Sequence, residues 1–133
     1  MELYPDKVRL VYHHFPFADS ELSWAIAESL EVAGDQEKFW EMHDRVTLNA
    51  PHALSEIMIA AEDVDLDIDE LIEALNSGEY NETVKSAKEE AENRGVSKIA
   101  LFINDIEYTK YPGTLDDLIN AIDTELQGLE TND

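Results

Sequence analysis

The chain has 133 residues, enough for one domain with its own core, and 44% of them are hydrophobic, which fits a globular protein and not a disordered acidic tail. It has no cysteine, so disulfides, thiolate catalysis and cysteine-based metal sites are excluded for this sequence. Against 9 basic residues stand 31 acidic ones, a net charge of −22, with none of the clustered Lys and Arg that phosphate backbones need.

No apolar run approaches the roughly 20 residues that span a bilayer, and no basic-then-apolar leader opens the chain. The expectation is a soluble, cytoplasmic protein that contacts neither membrane nor nucleic acid. The acids run from Glu2 to Asp133, which points to a general surface adaptation over a local acidic patch. Few lysines and a solvated carboxylate coat suit a high-salt cytoplasm, where screening relieves self-repulsion, so a halophilic, archaeal source is expected. An acidic partner-binding protein is the alternative.

KVRLVYHHFPF, residues 7–17, opens the chain with Val8, Leu10 and Tyr12 alternating with Arg9, Val11 and His13, the two-residue period of a strand. Leu22, Ala25, Ile26, Leu30 and Ala33 then recur at helical spacing, with Asp19 or Ser20 as cap and Gly34 as the stop. A second helix begins near Asp35, carries Phe39, Met42, Val46 and Leu48, and breaks at Asn49-Ala50-Pro51. Ser55 caps a short helix whose apolar face is Ile57, Met58, Ala60 and Ala61. Asp67 with Glu70 forms a capping-box-like start before Leu71, Ile72 and Leu75, and Ser77-Gly78 stops that helix. A charged helix from Tyr80 to Arg94 has a thin stripe of Val84, Ala87 and Ala91 and is closed by Gly95.

The period then changes. IALFI, residues 99–103, is a continuous strand-like run, and Asn104-Asp105 is a hairpin turn into Ile106, Tyr108 and Lys110. Thr114 with Asp117 caps a final helix striped by Leu115, Leu118, Ile119, Ile122 and Leu126, and residues 128–133 are expected to fray.

Order and phrases together resemble the DsbA-like branch of the thioredoxin superfamily. KVRLVYHHFPF resembles the strand that follows the redox helix there. KFWEMHD (38–44), LDIDELIEALNSGEYNETV (66–84) and GVSKIALFIND (95–105) are similar to later parts of that branch, and the resemblance covers essentially the whole chain. It implies an α/β fold: an incomplete thioredoxin-like domain over 1–133, with a strand, a helical insert of four to five helices, a β-hairpin and a C-terminal helix.

The departures concern chemistry. The branch works through a Cys-x-x-Cys helix after a first strand and through a cis-proline before its third strand; here the strand, the helix and both thiols are missing, and Lys98 or Ile99 stands at the degenerate cis-proline position. No thiol–disulfide exchange and no cofactor are expected for this chain. The resemblance also implies that Val8, Leu10 and Tyr12 lie on a strand deprived of its parallel neighbour. That edge is the candidate association surface, to be completed by residues 99–103, by a second copy in a homodimer, or by another polypeptide.

Other candidates fare less well. Alternation sends His13 and His14 to opposite faces, poor geometry for one metal ion. His43-Asp44 fits packing and capping, and His52 has no evident partner. DVDLDIDE, residues 63–70, lacks the glycine and distal glutamate of a calcium loop, so it is an ordinary helix start with Leu66 and Ile68 as anchors. Trp24, Phe39 and Trp40 suit a core better than a groove. Three functions remain: a redox-inactive protein acting by association; the C-terminal part of a longer thiol–disulfide oxidoreductase; and a cysteine-free, glutathione-dependent enzyme whose nucleophile would also lie upstream.

Overall fold

The computed structural model describes residues 3–97, 100–109 and 113–131. They form two units, Met1–Gly95 and Val96–Asp133.

The first unit is helical. Its helices are α1 (Glu21–Asp35), α2 (Phe39–Leu48), α3 (Leu54–Asp63), α4 (Ile68–Ser77) and α5 (Asn81–Asn93). One hydrophobic core joins Leu30, Val32 and Ala33 of α1, Met42 and Val46 of α2, Ile57, Ala60 and Ala61 of α3, Leu66, and Leu71 and Ala74 of α4. The alanines let the helices approach closely, and the branched and unbranched larger side chains fill the space between. α5 packs on α1 and buries Val84. Leu48 and Ile72, expected in the core, are 81% and 42% exposed; each lies off the buried stripe of its helix.

Helix ends show where side-chain chemistry acts. Ser20, not Asp19, caps α1, its hydroxyl accepting from the Ser23 amide at 3.1 Å. α3 starts at Ala53 without a side-chain cap, Ser55 lying inside its first turn, and Glu56 Oε2 accepts from the His52 amide at 2.6 Å instead. Asp67 caps α4 as expected, its Oδ1 accepting from the Glu70 amide at 3.1 Å. Gln36 then ties the end of α1 to this start: its Oε1 accepts from the Asp67 amide at 2.9 Å and its Nε2 donates to Glu70 Oε2 at 3.0 Å. DVDLDIDE is thus a helix start whose Asp67 carboxylate caps α4, whose Glu70 carboxylate takes the Gln36 amide and whose Leu66 is buried.

Gly34 does not stop α1; it lies within the helix. The stop is Glu37, left-handed at φ 60°, with the Lys38 amide donating to Ala33 O at 2.7 Å and the Glu37 amide to Gly34 O at 3.0 Å. This is the Schellman arrangement with a glutamate where glycine is usual. α2 begins only after this turn, at Phe39 and not near Asp35. Two substitutions are therefore expected to stabilise. Glu37→Gly removes left-handed strain worth roughly 1 kcal/mol. Gly34→Ala gains a comparable amount, about 1 kcal/mol, from helix propensity, since an added Cβ would meet only Phe39 at 3.8 Å. Chemical denaturation of the two variants checks both, and a loss of stability in Gly34→Ala would restore Gly34 as the stop.

Glu28 on α1 is buried, its Oε1 without a hydrogen-bond partner among the described residues. Burial raises its pKa above the ordinary 4.5. A raised carboxyl favours the folded state while it stays protonated; that contribution is complete below 4.5 and is lost as pH rises through the folded value. Glu28→Gln is accordingly expected to raise Tm at neutral pH and to leave it nearly unchanged at acidic pH, as thermal melts at both values would show.

The second unit holds β1 (Phe102–Ile103), β2 (Ile106–Glu107) and α6 (Leu115–Thr131). β1 and β2 pair antiparallel, Phe102 opposite Glu107 and Ile103 opposite Ile106. Asn104 and Asp105, at φ 49° and 67°, make the two-residue turn with both φ positive that suits strand twist. Of the run expected to be a strand from residue 99, residue 99 lies outside the described residues; among those described, Phe102–Ile103 pair, with one further bond from the Tyr108 amide to Leu101 O at 2.7 Å. Thr114 and Asp117 cap α6 reciprocally at 3.1 and 3.4 Å. The helix continues to Thr131, into the stretch expected to fray. Its Leu118, Ile119, Ile122 and Leu126 are half-buried, and Leu115 is exposed.

The strand expected over residues 7–13 is the main correction. Residues 8–17 run without helix, turn or bend, but carry no strand pairing. A strand is defined by its ladder, and among the described residues nothing hydrogen-bonds to the main chain of residues 8–15.

Candidate binding edge at residues 8–17

Along this stretch the side chains keep the two-residue period of a strand. His14 and Pro16 are buried, whereas Arg9, Val11 and His13 are exposed. Leu10 and Tyr12, on the inward register, still leave 52% and 39% of their surface open. His13 and His14 do part to opposite sides, as alternation requires.

Two contacts fix the stretch to the helices. His14, 4% exposed, places Nε2 at 2.7 Å from Glu31 Oε1 on α1; with the carboxylate ionised, that nitrogen is the donor. Its Nδ1 is buried without a partner among the described residues. Farther on, Lys88 of α5 donates to Pro16 O at 2.7 Å. The same ammonium lies 5.5 Å from the Phe15 ring centre and 5.8 Å from that of Trp24, a cation–π seat made by the chain for its own lysine. Trp24 is therefore neither core nor groove but half-buried beneath Lys88.

Ahead of both anchors Tyr12 meets a group of rings on the first turns of α2. Its ring centre is 5.4 Å from Phe39, 5.3 Å from His43 and 5.3 Å from His14. Trp40 meets Phe39 edge-on at 5.0 Å and His43 at 5.2 Å. KFWEMHD thus brings Phe39, Trp40 and His43 together at helical spacing, and Met42 turns the other way into the core. Trp40 remains 43% exposed, so it is not the core residue the sequence favours. Burial raises the Tyr12 hydroxyl above its usual pKa, keeping it neutral in the physiological range. His43 packs among the rings as expected, and its Nδ1 lies 3.1 Å from Asp44 Oδ1.

The surface offers main-chain hydrogen-bonding groups, apolar side chains and ring faces. Among the described residues no group of His, Asp or Glu has metal-binding geometry. Val8, Leu10 and Tyr12 thus sit on one stretch without main-chain pairing among the described residues, and at Tyr12 the rings of Phe39, Trp40 and His43 on α2 extend it. The sequence shows the alternation but not this ring platform, whose only hint is two adjacent aromatics one turn from a histidine. Lys98 and Ile99, at the degenerate cis-proline position, lie outside the described residues.

The profile of the family described as Thioredoxin matches residues 2–124. The chain belongs to the thioredoxin family. Two curated proteins similar to this thioredoxin-family chain are the Na(+)/H(+) antiporter NhaA 1 of Salinispora arenicola, 30% identical over 116 residues, and the Na(+)/H(+) antiporter NhaA 3 of Salinispora tropica, 29% identical over 116 residues. Each alignment covers 86% of this chain but 16% of the antiporter, so the thioredoxin-like stretch is a small part of those proteins. No solved structure matches the chain at a significant level. Six helices and one two-stranded sheet among the described residues are compatible with an incomplete thioredoxin fold. No helix among them is long and apolar enough to cross a membrane.

Proposed function

We propose that this chain is a DsbA-like thioredoxin-family domain that performs no thiol chemistry of its own and acts by association, through the open edge at residues 8–13. The observation that carries the reading is the main chain of residues 8–15, unpaired among the described residues, beside exposed Leu10, Val11 and Tyr12, in a family member without a single cysteine. Dithiol exchange requires a thiolate to attack and a second sulfur to resolve, and this sequence supplies neither. An exposed run of main-chain donors and acceptors flanked by apolar side chains is instead a template for an added strand.

Two measurements test the two halves. In an insulin-reduction assay the chain is expected to give no acceleration over buffer; clear activity sinks the redox-inactive reading. Amide hydrogen exchange over residues 8–13 is expected to slow when a short, uncharged strand-forming peptide of alternating valine and threonine is added in molar KCl. Unchanged exchange, together with a single species of 15.1 kDa on sedimentation, removes the association reading.

A second reading takes this domain as one part of a longer polypeptide, in line with the 16% coverage of the antiporters, and, from the family alone, as the C-terminal part of a thiol–disulfide oxidoreductase whose redox half precedes it. An in-frame Cys-x-x-Cys in the upstream coding DNA is the expected finding for that reading, and its absence there dismisses it.

A further inference from the structure

We infer that the ring platform of Tyr12, Trp40 and His43 is a seat for a cationic side chain, and that the segment completing the edge is an extended peptide presenting an arginine or lysine there. This rests on the association reading and specifies its partner.

Within residues 8–17 the chain already shows how such a seat is filled. Lys88 Nζ donates to Pro16 O at 2.7 Å while facing the Phe15 and Trp24 rings at 5.5 and 5.8 Å. An ammonium there gains a carbonyl acceptor and two π faces at once. A few residues back, the Tyr12–Trp40–His43 group repeats the ingredients: ring centres 5.2 and 5.3 Å apart through His43, and neighbouring main-chain carbonyls with no hydrogen-bond donor among the described residues. No lysine or arginine among the described residues lies over Tyr12 or Trp40. Tyr12 and Trp40 keep 39% and 43% of their residue surface exposed.

Charge completes the case. Trp40 and His43 are interleaved on α2 with exposed Glu41 and Asp44, and the chain as a whole carries −22, which draws a cationic segment and repels an acidic one. The same charge opposes a second copy, each chain bringing −22 to the contact. Arg9 lies on the odd-numbered, outward register, away from the side on which Tyr12 meets α2, and Lys7 is exposed in the turn before the stretch. The guanidinium or ammonium of a paired strand would thus meet ring faces with carboxylates around them.

The test uses the full chain in molar KCl, which suppresses diffuse attraction to the acidic surface, and three short peptides of alternating valine and threonine. These carry a central arginine, its neutral isostere citrulline, or glutamate. Binding is followed by NMR on the amides of residues 8–13. The arginine peptide is expected to bind about five- to thirty-fold more tightly than the citrulline peptide, the span expected of a cation over partly desolvated rings. Trp40→Ala and the milder Tyr12→Leu should each remove that preference while leaving citrulline-peptide binding in place. Equal binding of the arginine and citrulline peptides overturns the cationic seat but leaves strand addition standing; no binding of any peptide overturns both. An arginine preference that survives in both variants assigns it to diffuse charge and also overturns the seat. Self-association of the unliganded chain that Trp40→Ala abolishes gives the platform to a second copy, and likewise overturns the peptide assignment.

Discussion

Leu71→Ala is expected to cost about 2–5 kcal/mol, the range for truncating a fully buried leucine whose surroundings relax only in part. Leu71 is 0% exposed on α4, within the cluster that joins it to Leu30, Met42, Ile57 and Ala61. Those residues come from four helices, so shrinkage at one would open a gap that the others cannot fill together. Natural domains hold only about 5–15 kcal/mol in total, so the variant stands close to unfolding. A control on α6 sharpens the expectation. Leu118→Ala removes a half-buried side chain and is expected to cost roughly half as much or less, because less apolar area leaves water in the native state. Urea denaturation of both variants measures the difference. If Leu118→Ala proves the more damaging, the first unit's core is not the main source of stability.

Salt is expected to stabilise the protein strongly, with Tm rising by on the order of 10 °C between about 0.1 M and 2 M KCl as the screening length falls from about 10 Å to below 3 Å. The cause is the −22 net charge, spread over every helix. Arg45 Nε pairs with Asp63 Oδ2 at 2.9 Å, and such partly exposed pairs contribute little. α5 is the place to separate charge screening from the general strengthening of apolar burial by salt. Neutralising its exposed Glu82, Glu89, Glu90 and Glu92 to glutamine should raise Tm at low salt and flatten the salt response. A response of unchanged slope would mean that screening is not the cause, and the halophilic reading of the composition would lose its support.

Salt response and core packing belong to different levels of the molecule. Charge is a property of composition, and its consequence for salt was legible from the sequence before any contact was known. The helices were legible as well: each has an apolar face at helical spacing, and Ser20, Asp67 and Thr114 start theirs as the local chemistry of caps requires. The Asn104-Asp105 turn follows the same logic, since those two residue types tolerate positive φ better than most. Local rules failed where two equivalent signals competed. Gly34 looks like a helix stop, yet the chain turns left-handed at Glu37, because Gln36 holds the end of α1 against the cap of α4 and so fixes where the turn falls.

What the sequence determined, then, is what depends on neighbours within a few residues: helix faces, caps, the hairpin turn, the absence of thiols and the charge. What the tertiary structure decided is what depends on a partner distant in sequence. Residues 7–13 have every local mark of a strand, but a ladder needs a second chain segment, and among the described residues none pairs with them. The ring platform is of the same kind. Tyr12 and Trp40 are far apart in the sequence, and only the packing of residues 8–17 on α2 brings both to His43 and leaves them open. Alternation chooses which way a side chain points; only packing decides whether anything is there to meet it.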